Sequence, residues 1–309
     1  MTDADKATNA PGRTAIGGNT AVGNGSLTRT AKFAWGAIVV LLAGVIALVV
    51  VALTTTTTTL VIHRPLAPES VIRQISDISQ TTFNDVGVDS PTVPVVAPVL
   101  MHGQPVLKAG GRPEVLYVGA EYCPFCAAQR WALVVALSRF GTFTSLRDMQ
   151  SSATSAFPEL QSFSFDGAIY KSPYVSFSGV EEYSDAPGHN GVFTRVAFPT
   201  TAQQTTIDRY GPVAVPGWTP RSGGNLFPFV DVGNRAVSGT APFSPAALVG
   251  LSQATIASHL DDPGNAVTRA VIGSANYLTA VICMATDQQP PRLCASKGVR
   301  AALTSLNAS

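Results

Sequence analysis

The chain has few charged residues, since Lys, Arg, Asp and Glu make up 13% of its 309 residues, about half of the ~25% found in an average soluble protein. Twenty basic and nineteen acidic residues give a net charge of +1, so the whole chain lacks the positive excess with which proteins bind a nucleic-acid backbone. Hydrophobic residues make up 46%, which excludes a wholly disordered chain. We therefore expect a folded protein with no nucleic-acid partner.

Residues that bind metals are also scarce. The four histidines are scattered along the chain, at His63, His102, His189 and His259. Cys283 and Cys294 lack the short spacing of structural zinc ligands, and the chain has no P-loop, no serine nucleophile elbow and no GxGxxG motif after a strand. We expect no metal and no bound organic cofactor. A zinc half-site at the other two cysteines, Cys123 and Cys126, stays open as an alternative.

A long run without polar residues lies near the N-terminus. Residues 33–53, FAWGAIVVLLAGVIALVVVAL, contain no charge, Asn, Gln or His. As a helix the run would be about 31 Å long, which matches the ~30 Å hydrocarbon core of a bilayer. It predicts one transmembrane helix in the lipid bilayer of the cell membrane. Because Arg29 and Lys32 precede it and only Arg64 follows closely, the N-terminus is expected to be cytoplasmic. A cleaved signal peptide is the alternative.

The rest of the chain divides by composition. We expect a disordered cytoplasmic tail over 1–32, a stalk and connector with one short helix over 54–103, and an extracytoplasmic domain over 104–302. Within that domain, 183–225 is rich in Gly, Pro and Thr and is interpreted as an irregular insertion with one helix around 201–210. The apolar positions of residues 68–83 approximate one helical face that should dock on the domain.

A strand followed by a cysteine pair carries most of the functional information. Residues 114–120, EVLYVGA, predict a buried central strand, and 122–140 predict a buried helix with Pro124 in its first turn. The positive end of a helix stabilises a thiolate at the exposed first sulfur, so Cys123 is the predicted nucleophile. Cys126, one turn inside, would resolve a mixed disulfide. An inert structural disulfide or two simple core cysteines are the other interpretations.

Several charged residues and a second cysteine pair are further candidates for functional or structural roles. Glu121 is interpreted as a solvated loop charge rather than a proton relay, and Arg130 is left outside the site. Glu181 and Glu182 are adjacent, so they do not face one another as a hydrolase carboxylate pair would. In an oxidising compartment, an even count of cysteines favours a structural disulfide between Cys283 and Cys294.

Other segments give a coarse secondary structure. Residues 227–232 and 235–239, joined by Gly233-Asn234, predict a hairpin. Three more runs predict strands and two predict helices; these are 143–149, 161–165 and 174–180, and then 245–260 and 265–284.

The order of predicted elements resembles the thioredoxin fold. A strand leads into Cys-Pro-Phe-Cys and a long helix, and later an apolar-Pro-apolar segment leads into a hairpin that is followed by a helix. The resemblance implies an α/β thioredoxin-like domain with an insertion and C-terminal helices. It also implies that Pro228 is a cis proline facing the cysteine pair, and that the backbone of Phe227 pairs with a bound substrate chain.

Residues 114–143, together with 225–234 and 275–283, also resemble the prokaryotic membrane-anchored family catalogued as domain of unknown function 929 (DUF929). That resemblance extends over about 65–302, and the family has no settled activity.

The leading hypothesis is a membrane-anchored extracytoplasmic thiol-disulfide oxidoreductase. It would act on protein thiols or disulfides and be recharged by a membrane redox partner or a thiol donor. Reduction, oxidation and isomerisation use the same atoms, so the sequence does not encode the direction. The alternative is a redox-inactive thioredoxin-like protein that binds or assembles partners at the membrane through 183–225.

Overall fold

A mixed β-sheet of six strands lies at the centre of the described chain. Strand β3 (Arg112–Gly119) pairs in parallel with β8 (Ser176–Glu181) and antiparallel with β11 (Phe229–Val232). Strand β11 continues through β12 (Ala236–Ser238) to β1 (Val99–Leu100), and β2 (Lys108–Ala109) pairs with the first residues of β3. Every residue of β3 from Glu114 to Gly119 is buried, which confirms the predicted central strand.

This computed structural model describes residues 64–88, 90, 92–188, 190–220 and 225–308. The predicted tail over 1–32, the transmembrane helix over 33–53 and the first residues of the stalk lie outside the described residues.

Six short strands form three two-stranded sheets at the periphery. These strands are β4 Thr142–Phe143 with β7 Tyr170–Lys171, β5 Arg147–Gln150 with β6 Gln161–Ser164, and β9 Tyr183–Pro187 with β10 Phe193–Arg195. The predicted strand over 143–149 is therefore two strands with different partners.

Helices cover both faces of the central sheet. Alternate residues of β3 point to opposite faces, so Val115 and Tyr117 join the larger hydrophobic cluster with helices α3 and α6, while Leu116 and Val118 join a smaller one with α4. The helices are α1 Glu69–Ser76, α2 Gln80–Val86, α3 Pro124–Ser138, α4 Thr201–Ala214, α5 Gln253–His259, α6 Ala266–Ala285, α7 Pro291–Cys294 and α8 Lys297–Ala308.

Helix α3 follows β3 directly and is the helix that the cysteine pair predicts. Cys123 is its N-cap residue and Pro124 occupies its first turn, where a missing N–H costs nothing. All residues of α3 except Phe125 and Ser138 are buried. A helix buried on every side holds its N-terminal residues rigidly, which fixes the position of both cysteines.

Among the described residues, α6 alone is long and apolar enough to cross a membrane by length and composition, and 89% of its most apolar window is buried inside the protein. Its burial against α3 is typical of the core helix of a folded domain.

Two predicted helices are each divided in the structure. Residues 68–83 form α1 and the start of α2, because Ser79 ends the first pattern and caps α2 by accepting a hydrogen bond from the N–H of Thr82. Residues 245–260 form a 3-10 turn over Pro245–Leu248 and then α5, which is capped by Ser252. In both cases a serine N-cap interrupts an apolar pattern that continues on either side.

The expected connector contributes to the same hydrophobic core as the domain. Val71, Ile75 and Phe83 are buried in the larger cluster, and Val99–Leu100 pairs with β12 as the edge strand. The expected irregular insertion over 183–225 holds the hairpin β9–β10 and the well-capped helix α4. The predicted helix around 201–210 is confirmed by α4, whereas the sequence patterns did not predict the hairpin β9–β10 or the edge strand β1.

Candidate redox site at Cys123 and Cys126

The two cysteines of the Cys-x-x-Cys motif lie where β3 ends and α3 begins. Both are free thiols, and the backbone N–H of Cys126 donates a hydrogen bond of 3.3 Å to Cys123 Sγ. A disulfide joins Cys283 and Cys294, the pair that the sequence favours, with an S–S distance of 2.01 Å. In the described part of the chain, no group of three His, Cys, Asp or Glu side chains is placed to hold a metal ion.

The Cys123 sulfur is less accessible than its predicted role requires. The sequence predicts an exposed first thiol, but Cys123 is only 6% exposed, while Cys126 is 0% exposed. The partly buried rings of Tyr122, Tyr183 and Phe227 pack against the cluster that contains both cysteines. Cys123 is more exposed than Cys126, as predicted, but both cysteines are buried.

The pKa values of the two thiols are shifted in opposite directions. The pKa of Cys123 is lowered, most by a hydrogen bond with the Cys126 thiol and then by the Cys126 N–H, the charge of Arg130 and the Phe125 N–H, which together outweigh burial. Burial raises the pKa of Cys126 well above its ordinary value. Cys123 is therefore the thiol that ionises first, and Cys126 is a protonated donor beside it.

A buried ion pair lies on the same face of α3. Arg130 follows Cys126 by four residues, one helical turn, and its Nε and Nη2 donate to the Glu181 carboxylate at 2.8 and 2.7 Å. Nη2 also donates to the Ala120 carbonyl at 2.8 Å. Both side chains are 0% exposed, and Nη1 has no hydrogen-bond partner in the described structure. Arg130, which the sequence analysis leaves outside the site, is thus buried and paired with Glu181, and its positive charge acts to lower the pKa of both thiols.

A second set of charges surrounds the turn between β3 and α3. Glu121 is 3% exposed and accepts hydrogen bonds from Arg64 at 2.7 Å and from Ser164 at 2.6 Å. Burial, and then the charge of Glu181, raise the pKa of Glu121. The interpretation of Glu121 as a solvated loop charge is therefore wrong. Arg64 also donates hydrogen bonds to Asp185. The first described residue of the chain is therefore bound to the turn beside the cysteine pair through Glu121.

Gly119 is required beneath the cysteine pair. A Cβ atom at this position would lie 2.1 Å from the Tyr117 hydroxyl and 3.0 Å from Cys126 Sγ. The Tyr117 hydroxyl is buried and has no hydrogen-bond partner among the described residues, and its ring lies 5.7 Å from the Arg130 guanidinium. The polar side chains of Tyr117 and Arg130 therefore lie next to each other in the buried region that contains Cys126.

Phe227 and Pro228 lie at the adjacent strand end. The Phe227–Pro228 peptide bond is cis, and because Phe229 pairs with Val118, continuing the register places Pro228 opposite Gly119. The Phe227 ring is 6.1 Å from that of Tyr183, which in turn is 6.1 Å from that of Tyr122. The structure thus brings Phe227 and Pro228 beside the cysteine pair, and their role in binding a substrate stays a prediction.

Sequence reasoning missed Arg130, Glu181 and Tyr117 as members of this site. The spacing of four residues from Cys126 could have placed Arg130 on the cysteine face of the helix. No local signal connects Glu181 to it, because 51 residues separate the two partners.

The acidity of the two thiols predicts selective alkylation. In the folded chain we expect iodoacetamide to modify Cys123 and to leave Cys126 unmodified. The rate at Cys123 should rise with pH and reach half its maximum below the pH of about 8.5 that is typical of an unperturbed cysteine. Mass spectrometry of peptides after timed labelling measures both sites, and the urea-unfolded chain, in which both react, is the control. Equal labelling in the folded chain would contradict the assignment.

A comparison with protein families gives a match over part of the chain. The family model described as Domain of unknown function (DUF929) matches residues 100–189, which include β3, the cysteine pair, α3 and Glu181. No curated protein and no solved structure matches the chain.

Proposed function

We propose that the chain is a thiol-disulfide oxidoreductase with a thioredoxin-like fold, acting on the thiols or disulfides of protein substrates. The observation that carries the proposal is the asymmetry of the Cys123–Cys126 pair. Cys123 has a lowered pKa and is 6% exposed, and Cys126 is a fully buried thiol with a raised pKa within hydrogen-bond reach of it. A structural pair would need neither difference.

The topology supports the thioredoxin-like part of the proposal. The order β3, α3, β8, α4, β11, β12, α6 gives a parallel pair, β3–β8, and an antiparallel hairpin, β11–β12, with the cysteines at the first strand-helix junction. The cis Phe227–Pro228 bond occupies the position that the resemblance assigns to the proline facing the cysteines. The match of residues 100–189 to DUF929 agrees with the second resemblance but supplies no reaction.

The exchange needs only these two sulfurs and the substrate. The Cys123 thiolate attacks one sulfur of a substrate disulfide, so that a mixed disulfide forms and the other substrate sulfur leaves as a thiolate. The proton of Cys126 passes to the substrate thiolate that has left, and Cys126 then attacks Cys123 Sγ, which releases the second substrate sulfur as a thiolate and leaves a Cys123–Cys126 disulfide. The substrate gains two electrons that the pair loses. In reverse, the same steps oxidise a substrate dithiol.

The anchored location is part of the same proposal. The run over 33–53 would place residues 64–308 outside the cell membrane, where a membrane redox partner or a thiol donor could recharge the pair. The disulfide between the buried Cys283 and Cys294 fits an oxidising compartment.

Trapping tests the proposal directly. In the full-length Cys126→Ser variant, a mixed disulfide at Cys123 cannot be resolved, so we expect protein adducts on non-reducing gels that a reductant releases. The Cys123→Ser/Cys126→Ser variant is the matched control and should give none.

A second candidate, a redox-inactive binding protein at the membrane, is favoured by the 6% exposure of Cys123. Equal adducts in both variants, or none in either, would support it and contradict the proposed exchange.

A further inference from the structure

Arg139, the C-cap residue of α3, differs in its partners from three other arginines of the described chain. Arg64, Arg130 and Arg195 each contact a carboxylate of Glu121, Asp185, Glu181 or Glu182. Arg139 is partly buried and has no carboxylate partner among the described residues. The C-terminal end of α3 contributes a partial negative charge of only about one half, which does not neutralise a guanidinium.

Neutral groups hold the Arg139 guanidinium in place. Nη1 donates to Asn276 Oδ1 at 3.3 Å and to Thr279 Oγ1 at 3.1 Å, and Nη2 donates to Gln80 Oε1 at 2.9 Å. The ring of Phe83 lies 3.8 Å from the guanidinium carbon. Burial lowers the pKa of Arg139 to about 9, so the group is still protonated at neutral pH. The side chain is thus oriented by four contacts, and none of them supplies a negative charge.

A cavity of about 210 Å³ opens beside this guanidinium. Its walls are polar and apolar in similar proportion: besides Arg139, they include the apolar side chains of Ile75, Ile78, Phe83 and Leu293 and the polar side chains of Ser76 and Gln80. For comparison, an apolar cavity of about 150 Å³ holds one benzene molecule. The space therefore holds a molecule with about six carbon atoms, which would have the Arg139 cation beside it and the apolar side chains of Ile75, Ile78 and Leu293 along part of the wall.

We propose that this cavity is a binding site for a small monocarboxylate with a short apolar chain. The carboxylate would accept hydrogen bonds from the Arg139 guanidinium, because a charge-assisted bond of this kind is stronger than those to the three neutral acceptors. The chain would lie against Ile75, Ile78 and Leu293. A dianion finds no second cation among the lining residues, and an uncharged molecule leaves the guanidinium without a counter-ion. The proposal is independent of the redox function.

Binding of hexanoate to the full-length protein in detergent tests this site, with 1-hexanol as the uncharged probe of the same length. We expect hexanoate to bind at millimolar concentration in calorimetry and to raise the unfolding temperature. Hexanol should bind about tenfold more weakly. Equal binding of the two probes, or no binding of hexanoate, would overturn the proposal.

Two variants localise the effect. Arg139→Gln should weaken hexanoate binding about tenfold while leaving hexanol binding unchanged, and Ser76→Trp, at an exposed position on the cavity rim, should block both probes without disturbing the fold. Arg300→Gln, at an exposed arginine of α8, is the matched charge control and should bind hexanoate as the natural chain does. Circular dichroism establishes that each variant is folded. Wild-type affinity in Arg139→Gln would show that the probe binds elsewhere and would overturn the assignment.

Discussion

Arg130→Met is expected to destabilise the folded chain by about 3–5 kcal/mol and to raise the pKa of Cys123. The loss of stability follows from Glu181, which is 0% exposed and would lose both charge-assisted hydrogen bonds while still buried. The rise in pKa follows from the loss of a positive charge that favours the Cys123 thiolate. Urea unfolding measures the first effect, and the pH midpoint of Cys123 alkylation measures the second.

Glu181→Gln separates the two effects. This variant leaves Arg130 buried without its counter-ion, so it should also lose several kcal/mol of stability. Because the guanidinium charge is then uncompensated, the pKa of Cys123 should fall instead of rising. Two variants with similar losses of stability but opposite shifts of the alkylation midpoint cannot be explained by general loosening of the fold. Shifts in the same direction would contradict the electrostatic role of Arg130.

The double variant Arg130→Met/Glu181→Leu completes the comparison. Replacing a buried ion pair with apolar side chains of similar volume is often neutral or stabilising, so we expect most of the lost stability to return. The Cys123 pKa should stay high, because the cation is still absent. If stability and pKa both returned to their natural values, the ion pair would have no effect on the thiol beyond packing.

The local parts of this site were predictable because their signals are local. The Cys-Pro-Phe-Cys motif after a buried strand predicted the junction of β3 and α3, since a proline in the first turn and an N-cap cysteine act within four residues. The hairpin of β11 and β12 was predicted in the same way from Gly233-Asn234, where Asn234 has a positive φ of 54°.

The charged surroundings of the cysteines were not predictable by the same reasoning. Glu121 reads as solvated in a loop, but Arg64 lies 57 residues before it and neutralises it in the fold. The Arg130–Glu181 pair depends on the parallel pairing of β3 with β8, which ends with Gly119 opposite Glu181. Only the sheet register brings that carboxylate beneath the helix, and a single sequence does not encode the register between distant strands in any local pattern.

Removal of the second cysteine pair is the other large effect that we expect. In Cys283→Ala/Cys294→Ala, the free energy of unfolding should fall by about 3 kcal/mol, the chain-entropy value for a loop of roughly a dozen residues. The separation of 11 residues sets this value, and both side chains are buried, at 0% and 3% exposed, so lost packing adds to it. Urea unfolding of the natural chain and the variant, each with and without reductant, measures the difference.

The reductant distinguishes the two cysteine pairs. The natural chain should lose about 3 kcal/mol in reductant, somewhat less than the double variant loses without it, because reduction keeps the two buried side chains; the double variant should not respond further. Cys123→Ala/Cys126→Ala is the matched control, because it removes two buried cysteines that are already free thiols. It should keep its response to reductant, since the bond between α6 and α7 is still present. A control that no longer responds would mean that the stabilising disulfide is at the redox site, and the roles of the two pairs would be exchanged.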